Sequence, residues 1–268
     1  MVPIGPRDLL RRGRRAVRAG RLLLWRRTLR RRALDVTADT ARRTALVVAP
    51  HPDDETLGCG GTVALKRQHG TRVRVLVVTD GRRSHRSAVI SPDELAAIRA
   101  DEARRATAAL GLPPDELVLL GVREDELAEH VETVVDAIAA ELRSGEFADV
   151  LVTSDWDWHD DHRLVSAAVR EAAARAGGAV RVLEFPVWSW VDGPDDPRAA
   201  LDGVRAGLVD VTAVLEQKRA AVAEYRSQTT NLSGEDDWAV MDATLLGRFL
   251  GDAEIFVEPA ADRAGAGR

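Results

Sequence analysis

The chain of 268 residues holds one cysteine, one tyrosine, two methionines and two lysines. With Cys59 alone, no internal disulfide framework can form, which fits a reducing compartment. No stretch approaches the ~18 apolar residues that a membrane span requires. A dinucleotide fingerprint is also missing. Gly58, Gly60 and Gly61 are crowded together, but Val63 stands where the third glycine of Gly-x-Gly-x-x-Gly belongs. The carboxylates just before them would also repel a phosphate. There is no internal repeat.

Charge is abundant but unevenly placed. The net charge is −5, and Lys66 and Lys218 are the only basic residues besides arginine and histidine. Residues 1–32 contain twelve arginines and one acid, Asp8, a local charge of +11 that leaves −16 on the rest. An acidic body argues against a nucleic-acid partner. Residues 1–35 interleave arginine with Leu9, Leu10, Val17, Leu22, Leu23, Leu24, Trp25 and Leu29. The pattern predicts a basic amphipathic helix interrupted near Gly13 and Gly20. A secretory leader is not expected, because the apolar run Leu22–Trp25 is short and arginines follow it. Such a helix either docks on the acidic body or lies on an anionic lipid surface. The second case would put a cytoplasmic protein on the inner face of a membrane.

From Thr44 onward, strand and helix patterns alternate. Strands are predicted at Ala45–Ala49, Val73–Thr79, Leu117–Gly121, Val150–Ser154, Val180–Phe185 and Glu254–Val257. Helices are predicted at Gly61–His69, Pro92–Leu110, Asp125–Arg143, Arg163–Ala176 and Val211–Tyr225. Strands separated by helices imply βαβ units: an α/β fold with a Rossmann-like, mainly parallel sheet and helices on both faces. Pro186–Gly203 and Ser227–Asp237 read as long loops. The expected organisation is an extension over 1–40, one domain over 41–260 and a disordered tail over 261–268.

Two clusters carry chemistry. The strand Ala45–Ala49 ends abruptly in Pro50-His51-Pro52-Asp53-Asp54-Glu55. Burying one histidine and three acids is costly unless a cation or a substrate uses them. The second cluster, Asp155-Trp156-Asp157-Trp158-His159-Asp160-Asp161-His162, follows the strand Val150–Ser154. In a parallel sheet both strand ends share one rim, so His51 and Asp54 can meet His159 and His162. Two histidines and a carboxylate with an open position form a usual catalytic zinc set. A further carboxylate beside the coordinated water can act as general base.

The stretch from Ala49 to Gly61 closely resembles the opening motif of the PIG-L/LmbE-like N-deacetylases. His159-Asp160-Asp161-His162 resembles their second motif, with Asp160 in place of the usual proline. Arg99-Ala100-Asp101-Glu102 followed by Leu110-Gly111, and Lys218, Ala221, Tyr225 and Ser227-Gln228, resemble two weaker elements. The resemblance spans roughly residues 44–230. It implies that His51, Asp54 and His162 bind one zinc ion, or another divalent metal. It implies Asp53 as general base, and His159, held by Asp161, as oxyanion stabiliser and proton donor. Some members carry a tyrosine two residues before the first histidine of the second motif, where this chain has Asp157.

The implied reaction removes an N-acetyl or other N-acyl group from an N-acetylglucosamine-type sugar, either a small molecule or a glycoconjugate. One alternative is an amidase acting on a thiol-sugar conjugate. Another is a non-catalytic sugar- or nucleotide-binding module. Trp158, Trp188 and Trp190 could form a platform for sugar faces, with Arg99 beside them, or could equally be packing. Arg82, Arg83 and Arg86 read as an anion site or a solvated loop.

Overall fold

The computed structural model describes residues 6–258, apart from 178, 179, 195 and 198, with side chains from residue 17 onward except that of 199. The tail expected at 261–268 lies outside these. Helix α1 (Pro6–Arg32) runs without a break through Gly13 and Gly20, where the sequence suggests interruptions. A glycine costs a helix only ~1 kcal/mol. The burial of Trp25 and Leu29 two turns beyond Gly20 outweighs that cost. A short strand β1 (Leu34–Asp35) and α2 (Thr37–Arg42) lead into β2 (Ala45–Ala49), α3 (Asp54–Gln68), β3 (Val73–Thr79), α4 (Pro92–Ala109) and β4 (Leu117–Val122). Then follow α5 (Val131–Arg143), β5 (Asp149–Thr153), α6 (Asp160–Ala176), β6 (Arg181–Phe185) and α7 (Trp188–Asp192). The chain continues through β7 (Arg205–Asp210), α8 (Leu215–Glu224), α9 (Arg226–Thr229), α10 (Ala243–Leu246) and β8 (Ala253–Glu258).

The strands form one eight-stranded sheet in the order β1-β7-β8-β6-β5-β2-β3-β4, in which β8 alone is antiparallel to its neighbours. This is the mainly parallel α/β architecture expected. Strands β1 and β7 were not foreseen. β1 has only two residues, and β7 is held chiefly by its pairing with β8, six residue pairs from Arg205↔Glu258 to Asp210↔Ala253. The segment expected as a loop after Pro186 contains α7.

Period-two alternation on the central strands sets the two cores. Ala45, Val47 and Ala49 of β2, with Val73, Val75 and Val77 of β3, face α3, α4 and α8. Leu46, Val48, Leu76 and Val78 face α5 and α6. A third cluster joins α1 to the β7–β8 side, with Trp25 packed edge-on against Trp156 and Trp190 at centroid distances of 5.8 and 5.9 Å. No described helix is long and apolar enough to cross a membrane.

From β2 the chain moves outward through β3 to β4, then returns to place β5 on the other side of β2. The strand order therefore reverses between β2 and β5. In open α/β sheets, ligands bind at such a switch point, at the carboxyl ends of the strands.

Candidate metal centre and active site

Every residue of β2 is buried, and the strand delivers Pro50 and His51 to the sheet rim. The turn that follows is fixed from several sides. Thr79, at the end of β3, donates its N–H and hydroxyl to the Pro50 carbonyl, both at 2.9 Å. Buried Arg99 of α4 donates to the carbonyls of Pro52 and Gly81, and its Nη2 lies 3.0 Å from Asp53 Oδ2. Asp53 has φ of 125°, the only positive φ outside glycine among the described residues. Such a backbone is strained and persists only when its surroundings hold it. Glu55 supplies part of that hold. Its carboxylate accepts the Asp53 N–H at 3.1 Å and the Tyr225 hydroxyl at 2.5 Å.

Asp54 opens α3, and its Oδ2 accepts the His51 N–H at 3.1 Å. The same oxygen lies 3.1 Å from His51 Nδ1 and 3.3 Å from His162 Nε2. His162 stands in the first turn of α6, fully buried. Its Nδ1 donates to Asp157 Oδ2 at 2.8 Å. An ionised carboxylate only accepts, so Nδ1 carries the proton and Nε2 is left with its lone pair toward Asp54 when the ring is neutral. Nε2 has no hydrogen-bond partner despite its burial. An orphaned imidazole nitrogen, a second imidazole and a carboxylate oxygen, all within 4.8 Å of one another, are the donor set of a divalent cation. These residues fit zinc.

His159 caps α6 and accepts the Asp161 N–H at 3.3 Å. Its ring lies 4.9 Å from that of His51 and 5.2 Å from that of His162. The Asp161 carboxylate is closer to His51, with Oδ2 2.9 Å from His51 Nε2 and 4.0 Å from His159 Nδ1. His51, His159 and Asp161 form a second group of potential ligands sharing one histidine with the first.

Electrostatics separates the two adjacent acids. Burial pushes the Asp53 carboxyl up, with Asp54 and Glu55 adding to the effect against Arg99 and His51, and brings it to about 7. Burial would raise Asp54 too, but the His162 and His51 rings hold it below the usual carboxylate range. Against the penalty of burial, hydrogen bonds to Asp161 and Asp54 raise His51 to about 9. The nearby Asp54 charge and the hydrogen bond to Asp157 raise His162 to about 10 against the same penalty. Burial and the neighbouring imidazoles lower His159.

A cavity of about 350 Å³ opens over these groups. His51, Asp53, Asp54, Arg99, Trp158, His159 and Trp188 all reach it. Trp190 does not line it. On the single turn of α7, residues 188 and 191 share the cavity side, and Trp190 turns back to Trp25, donating its Nε1 to the Arg248 carbonyl at 2.8 Å. Trp156 and Trp238 are core residues. Arg82 and Arg83 are paired with carboxylates, Arg82 with Asp80 and Asp93 and Arg83 with Asp125.

The glycines after the first motif serve packing. A Cβ on Gly58 would sit 2.1 Å from the Phe185 ring. α3 kinks at Cys59, and the N–H groups freed at Gly61 and Thr62 are taken by Glu254 at 2.8 and 2.7 Å, with Lys218 Nζ 2.6 Å from the same carboxylate. Cys59 is buried, its thiol pushed up by burial.

Several residues support the site in roles that the sequence did not assign. Asp157 orients His162, and Glu55 orients Asp53. Glu102 accepts the N–H and hydroxyl of Ser227 at 2.7 and 2.6 Å, which sets neighbouring Gln228 at the cavity. Glu124, after β4, reaches within 3.8 Å of His51 Nε2. The Asp157–His162 spacing is a signal only once His162 is taken as a ligand with a carboxylate behind it.

Comparison with known proteins agrees with this geometry. The family model described as "PIG-L: GlcNAc-PI de-N-acetylase" matches residues 46–173. The 1D-myo-inositol 2-acetamido-2-deoxy-alpha-D-glucopyranoside deacetylase of Mycobacterium sp. strain KMS is 32% identical over 228 residues, 68% of this chain and 73% of that protein. The diacetylchitobiose deacetylase of Thermococcus kodakarensis is 28% identical over 211 residues, 76% of this chain and 75% of that protein. The structure of N,N'-diacetylchitobiose deacetylase from Pyrococcus horikoshii superposes with a TM-score of 0.61 at 23% identity, covering 81% of this chain and 84% of that one, which shows the shared fold. From the His-Pro-Asp-Asp-Glu turn to the second histidine cluster, the chain belongs to the PIG-L family of de-N-acetylases.

Proposed function

We propose that this chain is a zinc-dependent N-deacetylase that frees the amine of an N-acetylglucosamine-type sugar or glycoconjugate. One observation carries the reading. Three donor atoms suited to a metal converge beside a separate carboxylate, Asp53, which lines the same cavity outside the donor set, where a general base for a metal-bound water belongs. His51, Asp54 and His162 would hold the ion. Zinc bound there would polarise the amide carbonyl and lower the pKa of a water molecule to near 7.

The chain's own groups do the proton work. Asp53, anchored by Arg99, takes a proton as water attacks the carbonyl carbon. His159 stands at the cavity wall to stabilise the developing oxyanion. The proton held by Asp53 then passes to the nitrogen as the C–N bond breaks, leaving acetate and a free amine. Asp161 and Asp157 keep His51 and His162 in register.

The test is acetate release from a panel of N-acetyl sugars and glycoconjugates by the zinc-loaded protein. Thiol-sugar amides belong in the panel, since their exclusive cleavage would shift the reading to an amidase.

The exposed face of α1 supports contact with an anionic lipid surface. Val17, Leu23 and Leu24 are exposed there, among Arg21, Arg27 and Arg31, which have no carboxylate partner among the described residues. An interfacial helix combines these residue types on one face. Wild-type protein should then co-sediment with anionic liposomes more strongly than a Leu23→Ser, Leu24→Ser variant. Equal pelleting would leave α1 as a structural element only.

A further inference from the structure

The one tyrosine of the chain sits behind Asp53 and outside the cavity. Tyr225 is the single residue between α8 and α9, with φ of −78° and ψ of 63°. Its carbonyl accepts the N–H groups of Gln228 and Thr229, both at 3.0 Å, which fixes the turn it makes. Its ring is buried in the core shared by α3, α4 and α8. Its hydroxyl reaches across 170 positions of sequence to donate to Glu55 Oε1 at 2.5 Å. Thr56 donates its hydroxyl to the same oxygen, also at 2.5 Å. The phenol is thus committed beneath the turn and does not stand where an oxyanion would form.

What the phenol holds, through Glu55, is the peptide between Pro52 and Asp53. The Pro52 carbonyl accepts from Arg99, and the Asp53 N–H donates to Glu55 Oε2 at 3.1 Å. A peptide pinned at both its oxygen and its nitrogen cannot rotate, which keeps Asp53 at its φ of 125°. Relaxation of that angle would swing the Asp53 carboxylate away from Arg99 and the cavity. The Glu55 side chain has rotatable bonds of its own, so it anchors only as firmly as its partners allow. Thr56 is its neighbour on α3 and moves with it. Tyr225 is the contact that ties Glu55 to another element, and a hydroxyl-to-carboxylate bond of this length is among the strong ones. Helix α4 sets the spacing between the two. Arg99 holds the turn, and Glu102 of the same helix holds the N–H and hydroxyl of Ser227, just past Tyr225.

We infer that Tyr225 is a positioning residue for the general base: through Glu55, its hydroxyl holds the Pro52–Asp53 peptide so that the Asp53 carboxylate meets the attacking water. The inference rests on the deacetylase reading and adds a remote residue to its machinery. Tyr225→Phe keeps the ring and removes only the hydroxyl. Misplacing a reacting group by about 1 Å can cost on the order of 10²-fold, so kcat should fall by roughly ten- to a hundredfold. KM and zinc affinity should stay as in the wild type, because the metal ligands keep their own partners.

A double-mutant cycle with Asp53→Asn decides it. Acetate release from an N-acetylglucosamine glycoside is followed with the zinc-loaded full chain as wild type, Tyr225→Phe, Asp53→Asn and the double variant. Zinc affinity is measured for each, and kcat is counted per zinc-bound chain so that unfolded protein does not enter. If Tyr225 acts through the base, losing its hydroxyl costs nothing more once Asp53 is replaced. A hydroxyl that only stabilises the core would change kcat equally in both backgrounds or not at all, and either result would overturn the inference. A loss that follows zinc affinity would overturn it as well. Each of these leaves deacetylation standing. No turnover by the wild-type protein would instead remove the deacetylase reading, and the role of Tyr225 with it.

Discussion

Asp157 and His162 are joined at 2.8 Å with both side chains fully buried, and the other nitrogen of that imidazole faces Asp54 without a hydrogen bond. A carboxylate behind a ligating histidine fixes its tautomer and raises its basicity, and losing such a partner typically costs 10–100-fold in metal affinity. Asp157→Asn should therefore weaken zinc binding by ten- to a hundredfold. A chelator competition titration measures this. An unchanged affinity would mean that His162 needs no help from Asp157.

Asp53→Asn separates chemistry from metal binding. The amide cannot accept the water proton, and a general base typically contributes 10²–10⁴-fold. Turnover should fall by that factor while zinc stoichiometry and Tm stay close to wild type. Asparagine also tolerates positive φ better than most residues, which protects the turn. Near-normal turnover would hand the role of base to another carboxylate.

Protons and zinc compete for the same nitrogens. In the metal-free protein His51 and His162 titrate at about 9 and 10, above the ~6.5 of an unfolded histidine. Their ion pairs therefore contribute stability that is fully present below pH ~6.5 and is lost as pH rises through about 9 to 10. Zinc has the opposite sign, because it needs both rings neutral. The rise in Tm caused by a fixed free zinc concentration should grow steadily from pH 6 to pH 9. A zinc-induced Tm shift independent of pH would show that these histidines are not the ligands.

Trp25 tests whether α1 belongs to the folded body. It is 2% exposed, and its indole N–H makes no hydrogen bond. Trp25→Ala should cost about 3–5 kcal/mol in urea unfolding, as large aromatic truncations do. Trp25→Phe should cost much less, since no bonded N–H is lost. A loss under 1 kcal/mol for Trp25→Ala would mean that α1 is attached only loosely.

The parallel sheet was legible because β2, β3 and β5 are short apolar runs ending in turn residues, and their burial on both faces needs no more information than that. The meeting of His51 and Asp54 with the His159–His162 cluster was legible because buried acids and histidines at two strand ends have few other uses, and the choice of His162 over His159 as ligand came from the family resemblance. Strands β1 and β7 were not, since a two-residue strand and an Arg-Ala-Gly-Leu-Val-Asp segment carry too little pattern without their partners. α7 was hidden among Pro, Asp and Gly residues that read as loop. Asp157 was read as the site of a missing tyrosine. Its hold on His162 and Ser189 depends on α6 and α7 meeting in space, which no local sequence pattern encodes. Trp190 was misplaced for a related reason: which side of a one-turn helix faces a cavity is decided by what packs behind it, here Trp25.

The central claim is zinc-dependent amide hydrolysis at His51, Asp54 and His162, with Asp53 as base. The most direct measurement strips the protein of metal and titrates zinc back while acetate release from an N-acetylglucosamine conjugate is followed. The expected result is no activity without metal, a linear rise to a plateau at one zinc per chain, and no such rise in His162→Ala. Full activity in the stripped protein, or a plateau that His162→Ala reaches at the same zinc ratio, would contradict it.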